Sequence, residues 1–183
     1  MFARLFRRDT EARSIASALY GAIVAQARNP VLYAQLGVPD TVDGRFEMVV
    51  LHTVVLLNRL QGEGEAGKVI GQRIFDLHCT DMDRSLRELG IGDLGVPKRM
   101  KKMAEGFYGR AAAYGAALAA NDERGLAEAV ARNVFRGADA ASSATPLAAY
   151  VLASAKRMAA GQALAEPPAF ADPVAFVPVG ATT

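Results

Sequence analysis

Cysteine is nearly absent: Cys79 stands alone among 183 residues, which excludes an internal disulfide framework and fits a reducing compartment. One cysteine with two histidines, His52 and His78, cannot make a Cys-rich structural zinc site either. Tryptophan is missing, and 8 Phe with 5 Tyr leave few rings for stacking platforms. Neither sign of charge dominates. The net charge of +2 gives no support to DNA binding, so any basic patch must be local. Long apolar runs are lacking too. The stretch from Met48 to Leu60 contains His52, Asn58 and Arg59 and is shorter than the ~20 residues that a bilayer span requires. Arg4, Arg7 and Arg8 ahead of the apolar stretch Ile15 to Ala27 have the outline of a signal peptide. Asp9, Glu11 and Arg13 interrupt that outline, and Gln26 and Arg28 fit a helix continuing on a folded domain. The chain reads as soluble or peripheral.

What is present is helical periodicity. Apolar residues make up 51% and charged residues 22%, the balance of one ordinary globular domain. No segment alternates with period two, and Asp43-Gly44 leads into a helical pattern rather than a hairpin. A first helix is expected from about Thr10 to Arg28, ended by Asn29-Pro30, and a short turn over Val31 to Leu36 is closed by Gly37. Asp40 or Thr41 can cap a second helix, about Val42 to Gln61, apolar on most sides and therefore central. The third, about Ala66 to Leu89, carries Phe75, Cys79, Met82, Leu86 and Leu89 on one face, widened by Ile70, Ile74 and Leu77, with Gly90 as its cap. The fourth, about Pro97 to Ala120, aligns Val96, Met100, Met103, Phe107, Tyr114 and Leu118. A fifth follows a cap at Asn121 or Asp122, and Thr145-Pro146 opens a sixth. Beyond Gly161, Pro167, Pro168, Pro173 and Pro178 describe an extended tail, loose or laid along the body.

The chemistry-bearing clusters mostly have plain explanations. Asp76, His78, Cys79, Asp81 and Asp83 share the third helix, but their spacing matches no metal motif. Adjacent His78 and Cys79 point about 100° apart and cannot pair as nucleophile and base. Asp81 and Asp83 with magnesium suggest, as an alternative, an all-α enzyme acting on an isoprenoid or quinone-like molecule; no second Asp-rich motif accompanies them. No cofactor, metal or catalytic residue is expected. Two basic features remain. Lys98, Arg99, Lys101, Lys102 and Arg110 lie on or near one helix, opposed by Glu105 alone, either as a solvated face or as a docking stripe. At the N-terminus, Phe2, Leu5 and Phe6 cluster with Arg4, Arg7 and Arg8 around them, a short amphipathic segment suited to a membrane interface.

Several long blocks occur in a consistent order: Tyr20 to Arg28, Gly37 to Glu47, Asp81 to Asp93, and Val96-Pro97-Lys98-Arg99-Met100-Lys101-Lys102-Met103 through Phe107-Tyr108-Gly109-Arg110. Together they resemble the bacterial ubiquinol–cytochrome c chaperone family over roughly Ser14 to Val134. The resemblance implies an all-α, non-enzymatic assembly factor of the cytochrome bc1 complex. Its implied partners are cytochrome b or other bc1 subunits, with the ribosome and the cytoplasmic face of the inner membrane as further contacts.

The expectation is thus an all-α, single-domain bundle of about six helices with an extended Pro-rich C-terminal tail. Residues 1–9 form the basic amphipathic segment, 10–161 the chaperone-like domain, and 162–183 the tail. Partner contact is expected at Lys98, Arg99, Lys101, Lys102, Met103, Phe107, Tyr108 and Arg110, with Met100, Met103 and Phe107 lining a groove. Membrane contact is expected at Phe2, Arg4, Leu5, Phe6, Arg7 and Arg8. A membrane-associated scaffold without chaperone activity is the remaining alternative.

Overall fold

A computed structural model describes residues 2–136, 140–160 and 166–178, with the side chains of 2–8, 140 and 141 excepted. Its helices are α1 (Phe2–Ala27), the short α2 (Pro30–Ala34), α3 (Val42–Leu60), α4 (Gly64–Glu88), α5 (Val96–Ala119), α6 (Glu123–Val130) and α7 (Ala140–Ala159). A π-helical turn over Ala131–Phe135 prolongs α6, and a 3-10 turn over Pro173–Phe176 interrupts the tail. No strand occurs among the described residues. The six long helices are the expected ones, and α2 is the short turn after Asn29 made helical, with Pro30 in its first turn and Asn29 accepting the Val31 amide.

Local chemistry sets the boundaries. Thr41 caps α3 by accepting the Gly44 amide at 3.1 Å, and Asp122 caps α6 by accepting from Gly125 at 2.9 Å. Gly44 has no alternative in this geometry, because a Cβ there would sit 1.9 Å from the Pro39 carbonyl oxygen. At the end of α4, Gly90 takes φ +81, and the Ile91 amide reaches back to the Leu86 carbonyl at 3.1 Å, closing the helix as expected. Two boundaries depart from expectation. The backbone of α1 is helical from Phe2 rather than Thr10, and α7 starts at Ala140 with Pro146 inside it. The helix ahead of Pro146 contains Ala140, Ala141 and Ala144, the strongest helix-forming type, and Ala144 is fully buried in the core.

Helix α3 is the axis of the bundle, packed against α1, α4, α5 and α7. Residues 47 to 56 are all buried, including Glu47, His52 and Thr53. Ion pairing of Asp9 with Arg73 and a 3.0 Å bond from Tyr20 to Asp81 show α1 running parallel to α4. Contacts of Phe46 with His78 and of Phe75 with Phe107 show α3, α4 and α5 folding as successive antiparallel hairpins. The buried face of α4 shares Ile70, Ile74, Met82 and Leu86 with the one expected and departs from it at His78, Cys79 and Leu89. Ile70, Ile74, His78, Met82 and Leu86 are buried in steps of four, whereas Cys79 is half-buried and Leu89 exposed. Three flanking helices, α1, α3 and α5, select that row, and His78 takes the inward place assigned to Cys79.

The described part of the tail is laid along the body. Ala171 donates its amide to Ser154 at 3.1 Å, Phe170 meets the His52 ring edge-on at 5.0 Å, and Phe176 meets Tyr150 at 6.0 Å. Beneath them runs one hydrogen-bond chain. Gln26 donates to the Tyr150 hydroxyl at 2.9 Å, Tyr150 donates to His52 Nε2 at 2.8 Å, and His52 Nδ1 donates to the Met48 carbonyl at 2.7 Å. That order requires a neutral imidazole. Burial holds the His52 pKa down at about 4, against the opposing pull of the Met48 carbonyl. Burial likewise pushes the Tyr150 hydroxyl up to about 12.

Candidate functional site

The candidate surface is built on α5. Gly95 and Pro97 start this helix without a side-chain cap, and its first turn holds no acidic residue. Instead Lys98 and Arg99 occupy the positive end of the helix dipole, where cations cost stability rather than add to it. Lys98, Arg99, Lys101 and Lys102 are all exposed, and among the described ion pairs none involves them. Tyr108 lies on the same outward face and is 62% exposed. Met100 and Met103 are half-buried at its edge.

Phe107 and Arg110 face inward and support the surface from below. Phe107 is 3% exposed and packs against Phe75 at 5.1 Å and the His78 ring at 5.3 Å. A groove with Phe107 as open lining is therefore not formed; the described cavity lies elsewhere. Arg110, its side chain 15% exposed, binds Glu47 with two bonds, Nε to Oε2 at 2.6 Å and Nη2 to Oε1 at 2.5 Å. Burial alone would lower the Arg110 pKa, but the hydrogen bonds and charge of Glu47 raise it. Arg136, in the left-handed conformation after the π-helical turn, adds a third bond to Glu47 at 2.8 Å. The Tyr114 hydroxyl is buried beside this cluster, without a hydrogen-bond partner of good geometry among the described residues, and burial raises its pKa.

Sequence reasoning missed Glu47 and Arg136 as partners. Glu47 carried a signal, being an acid in the middle of a helix apolar on most sides. Arg110 carried one as well, since it lies three residues after Phe107 and four before Tyr114 and so shares their inward face.

Next to this site, His78 is 3% exposed, between the rings of Tyr20, Phe46 and Phe107, and its Nδ1 has no hydrogen-bond partner among the described residues. Burial depresses its pKa to about 4, with the Asp81 carboxylate pulling weakly the other way. The acidic residues of α4 are engaged at its surface: Asp81 accepts from Tyr20 and Arg84, Asp83 from Arg87, and Asp76 from Gln72. Cys79 is half-buried and its thiol pKa is raised by burial, so it is a poor thiolate.

A cavity of about 400 Å³ opens between α2 and the start of α3, lined by Arg28, Pro30, Tyr33, Ala34, Val38, Asp40 and Arg45. Arg45 pairs there with Asp40 at 2.6 Å and lies 5.9 Å from the Tyr33 ring centre. The side chains of Phe2, Arg4, Leu5, Phe6, Arg7 and Arg8, expected at a membrane, lie outside the described residues. Among the described residues no helix is long and apolar enough to cross a membrane.

Comparison with known proteins places this architecture. A model of the ubiquinol-cytochrome C chaperone family matches residues 34–165, more than half of the chain. The ubiquinol-cytochrome-c reductase complex assembly factor 1 of Xenopus laevis is 28% identical over 117 residues, covering 64% of this chain and 58% of that protein. Its Mus musculus counterpart is 27% identical over 117 residues, 64% of this chain and 39% of that protein. The chain thus spans well under two thirds of the length of these curated relatives. The crystal structure of the Cbp3 homolog from Brucella abortus superposes with a TM-score of 0.85 at 45% identity, over 95% of this chain and 98% of that one. The blocks Gly37 to Glu47, Asp81 to Asp93 and Val96 to Arg110, which carry α3, α4 and α5 of the site, all lie inside the matched segment. On that match and that superposition, the chain belongs to the ubiquinol-cytochrome C chaperone family.

Proposed function

We propose that this protein is an assembly factor of the ubiquinol–cytochrome c reductase (bc1) complex, holding an apolar subunit during maturation without a catalytic step. The observation that carries the reading is the family match over residues 34–165, joined to relatives named for assembly of that complex. Cytochrome b is the subunit whose chemistry fits best, because a membrane-embedded client needs its apolar surface covered before insertion is complete. The contact surface would be the outward side of α5, with the adaptable thioethers of Met100 and Met103 and the ring of Tyr108, rimmed by Lys98, Arg99, Lys101 and Lys102. The protein would act at the cytoplasmic face of the inner membrane, where nascent client, ribosome and bilayer meet.

An affinity pull-down of the tagged protein from gently solubilised native membranes tests the proposal. Enrichment of cytochrome b or neighbouring bc1 subunits over a charge-matched control is the expected result. Retention of none of them would refute it. Charge reversal at Lys98, Lys101 and Lys102 should weaken that recovery without lowering the melting temperature. Unchanged recovery would remove the α5 surface from the proposal.

A further inference from the structure

Between α4 and α5 the chain makes a short loop, residues 89–95, at one end of the bundle. Its side chains run against the usual pattern for a solvent loop. Leu94 is 100% exposed and Leu89 58% exposed, with Ile91 half-buried beside them. Gly90, Gly92 and Gly95 keep the loop slender. Single exposed leucines need no explanation. Here, however, exposed leucines share a loop that leads directly into Lys98, Arg99, Lys101 and Lys102, which no described ion pair neutralises. Nearby carboxylates are engaged on the α4 side: Asp83 and Asp93 bind Arg87, and Glu88 meets Arg84 at 3.7 Å. Glu105, one turn beyond Lys101, is the remaining acid on this part of α5. The positive end of the α5 dipole points the same way.

We propose that the α4–α5 loop and the first turns of α5 dock on an anionic phospholipid bilayer, with Leu89 and Leu94 entering the headgroup–acyl boundary and Lys98, Arg99, Lys101 and Lys102 contacting lipid phosphates. The observations favour lipid over RNA. The tip is aliphatic and offers no ring for base stacking, whereas an apolar tip rimmed by cations matches the layering of an interface. The inference deepens the reading of α5 as a contact surface and rests on it, but needs no client. It also assigns an orientation. Because α1 runs parallel to α4, the amphipathic N-terminal segment begins at the opposite end of the bundle from the loop, so the two cannot anchor one end-on contact.

The test is co-sedimentation of the purified full chain with phosphatidylcholine vesicles made with or without phosphatidylglycerol. The expected result is partition onto the anionic vesicles alone, released by salt within the range of Debye screening. Leu94→Ser should reduce partition about tenfold or more, and the Lys98→Glu, Lys102→Glu pair by more than about 25-fold, given roughly fivefold for each cation lost near such a surface and repulsion from the new carboxylates. All three side chains are exposed, so neither variant should melt below the wild type, and the lysine pair should melt slightly above it because Lys98→Glu puts an acid at the positive end of the α5 dipole. Phe2→Ser with Phe6→Ser should leave partition unchanged. Three results would overturn the proposal: equal partition onto neutral vesicles, wild-type partition by the Leu94 or the lysine variant, or retention on polyuridylate RNA with no vesicle binding. Because this assay holds no bc1 subunit, its failure leaves the pull-down result standing, and failure of the pull-down leaves this one standing.

Discussion

Replacing His78 with phenylalanine should remove about half of the histidine-driven acid sensitivity of the fold. The imidazole is 3% exposed, stacked 29° from the Phe46 ring plane, with Nδ1 unpartnered among the described residues. Its pKa falls from 6.5 to about 4 on folding because burial penalises the charged form. The sign follows from proton uptake. Between about pH 6.5 and 4 the unfolded chain binds a proton that the folded chain refuses, so stability is lost as pH falls through that window. From pH 7 to pH 5 the loss is about 2 kcal/mol for one such histidine. His52, with its pKa also at about 4, should add a similar amount.

Urea unfolding followed by circular dichroism at pH 7 and pH 5 measures the effect. The drop for His78→Phe should be smaller than the wild-type drop by about 2 kcal/mol, corresponding to roughly 4–8 °C in melting temperature for a chain of this size. Any constant cost or gain from repacking the larger ring cancels in the pH difference, as do the carboxylates common to both proteins. A pH dependence equal to that of the wild type would refute the reasoning, because the histidine would then already be protonating in the fold.

Glu47→Gln should destabilise by about 3–5 kcal/mol, since it leaves the Arg110 guanidinium largely buried and opposite no charge; denaturant unfolding at pH 7 reads this directly. Arg136→Ala should cost clearly less in the same measurement, because that side chain is 52% exposed and water can replace it. Phe170→Ala should cost about 2 kcal/mol, below the ~3–5 of a wholly buried aromatic, and should speed amide exchange at Ala171, whose bond to Ser154 it unseats. Cys79 should react with iodoacetamide at pH 7.5 more slowly than a free cysteine peptide, because burial raises its pKa.

Sequence pattern was sufficient wherever one physical cause decided the outcome. Gly90 ends α4 because a left-handed residue was needed, and Thr41 and Asp122 cap their helices because a side-chain oxygen at each accepts the amide three residues on. Pattern was insufficient where partners from distant helices decided. Counting only apolar residues placed Cys79 on the inner face of α4, whereas α1, α3 and α5 enclose His78 and leave the cysteine at the edge. Proline at position 146 has the pattern of a helix start, yet α7 begins at Ala140, and Ala144 ahead of the proline is packed into the core. At the site, charge composition grouped Arg110 with Lys98, Lys101 and Lys102 as one stripe. Helical register already separated them: the lysines fall opposite the Phe107 face, and Arg110 falls on it.

That separation gives α5 two independent tasks. Its inner face is pinned to α3 by the two bonds of Arg110 to Glu47 and by the contact of Phe107 with Phe75. Its outer face carries cations that join none of the described ion pairs and oppose the helix dipole. Residues that lower stability where they stand are kept by something outside the fold. A rigid inner face then matters for the outer one, because lysines on a helix fixed to the central helix present their charges in constant register to whatever binds. Stability and binding should therefore dissociate along this one helix. Substitution at Glu47 or Phe107 should lower the melting temperature, and substitution at Lys98 or Lys102 should weaken binding without lowering it. A lysine variant that lost binding only by unfolding would show that the outer face has no separate role.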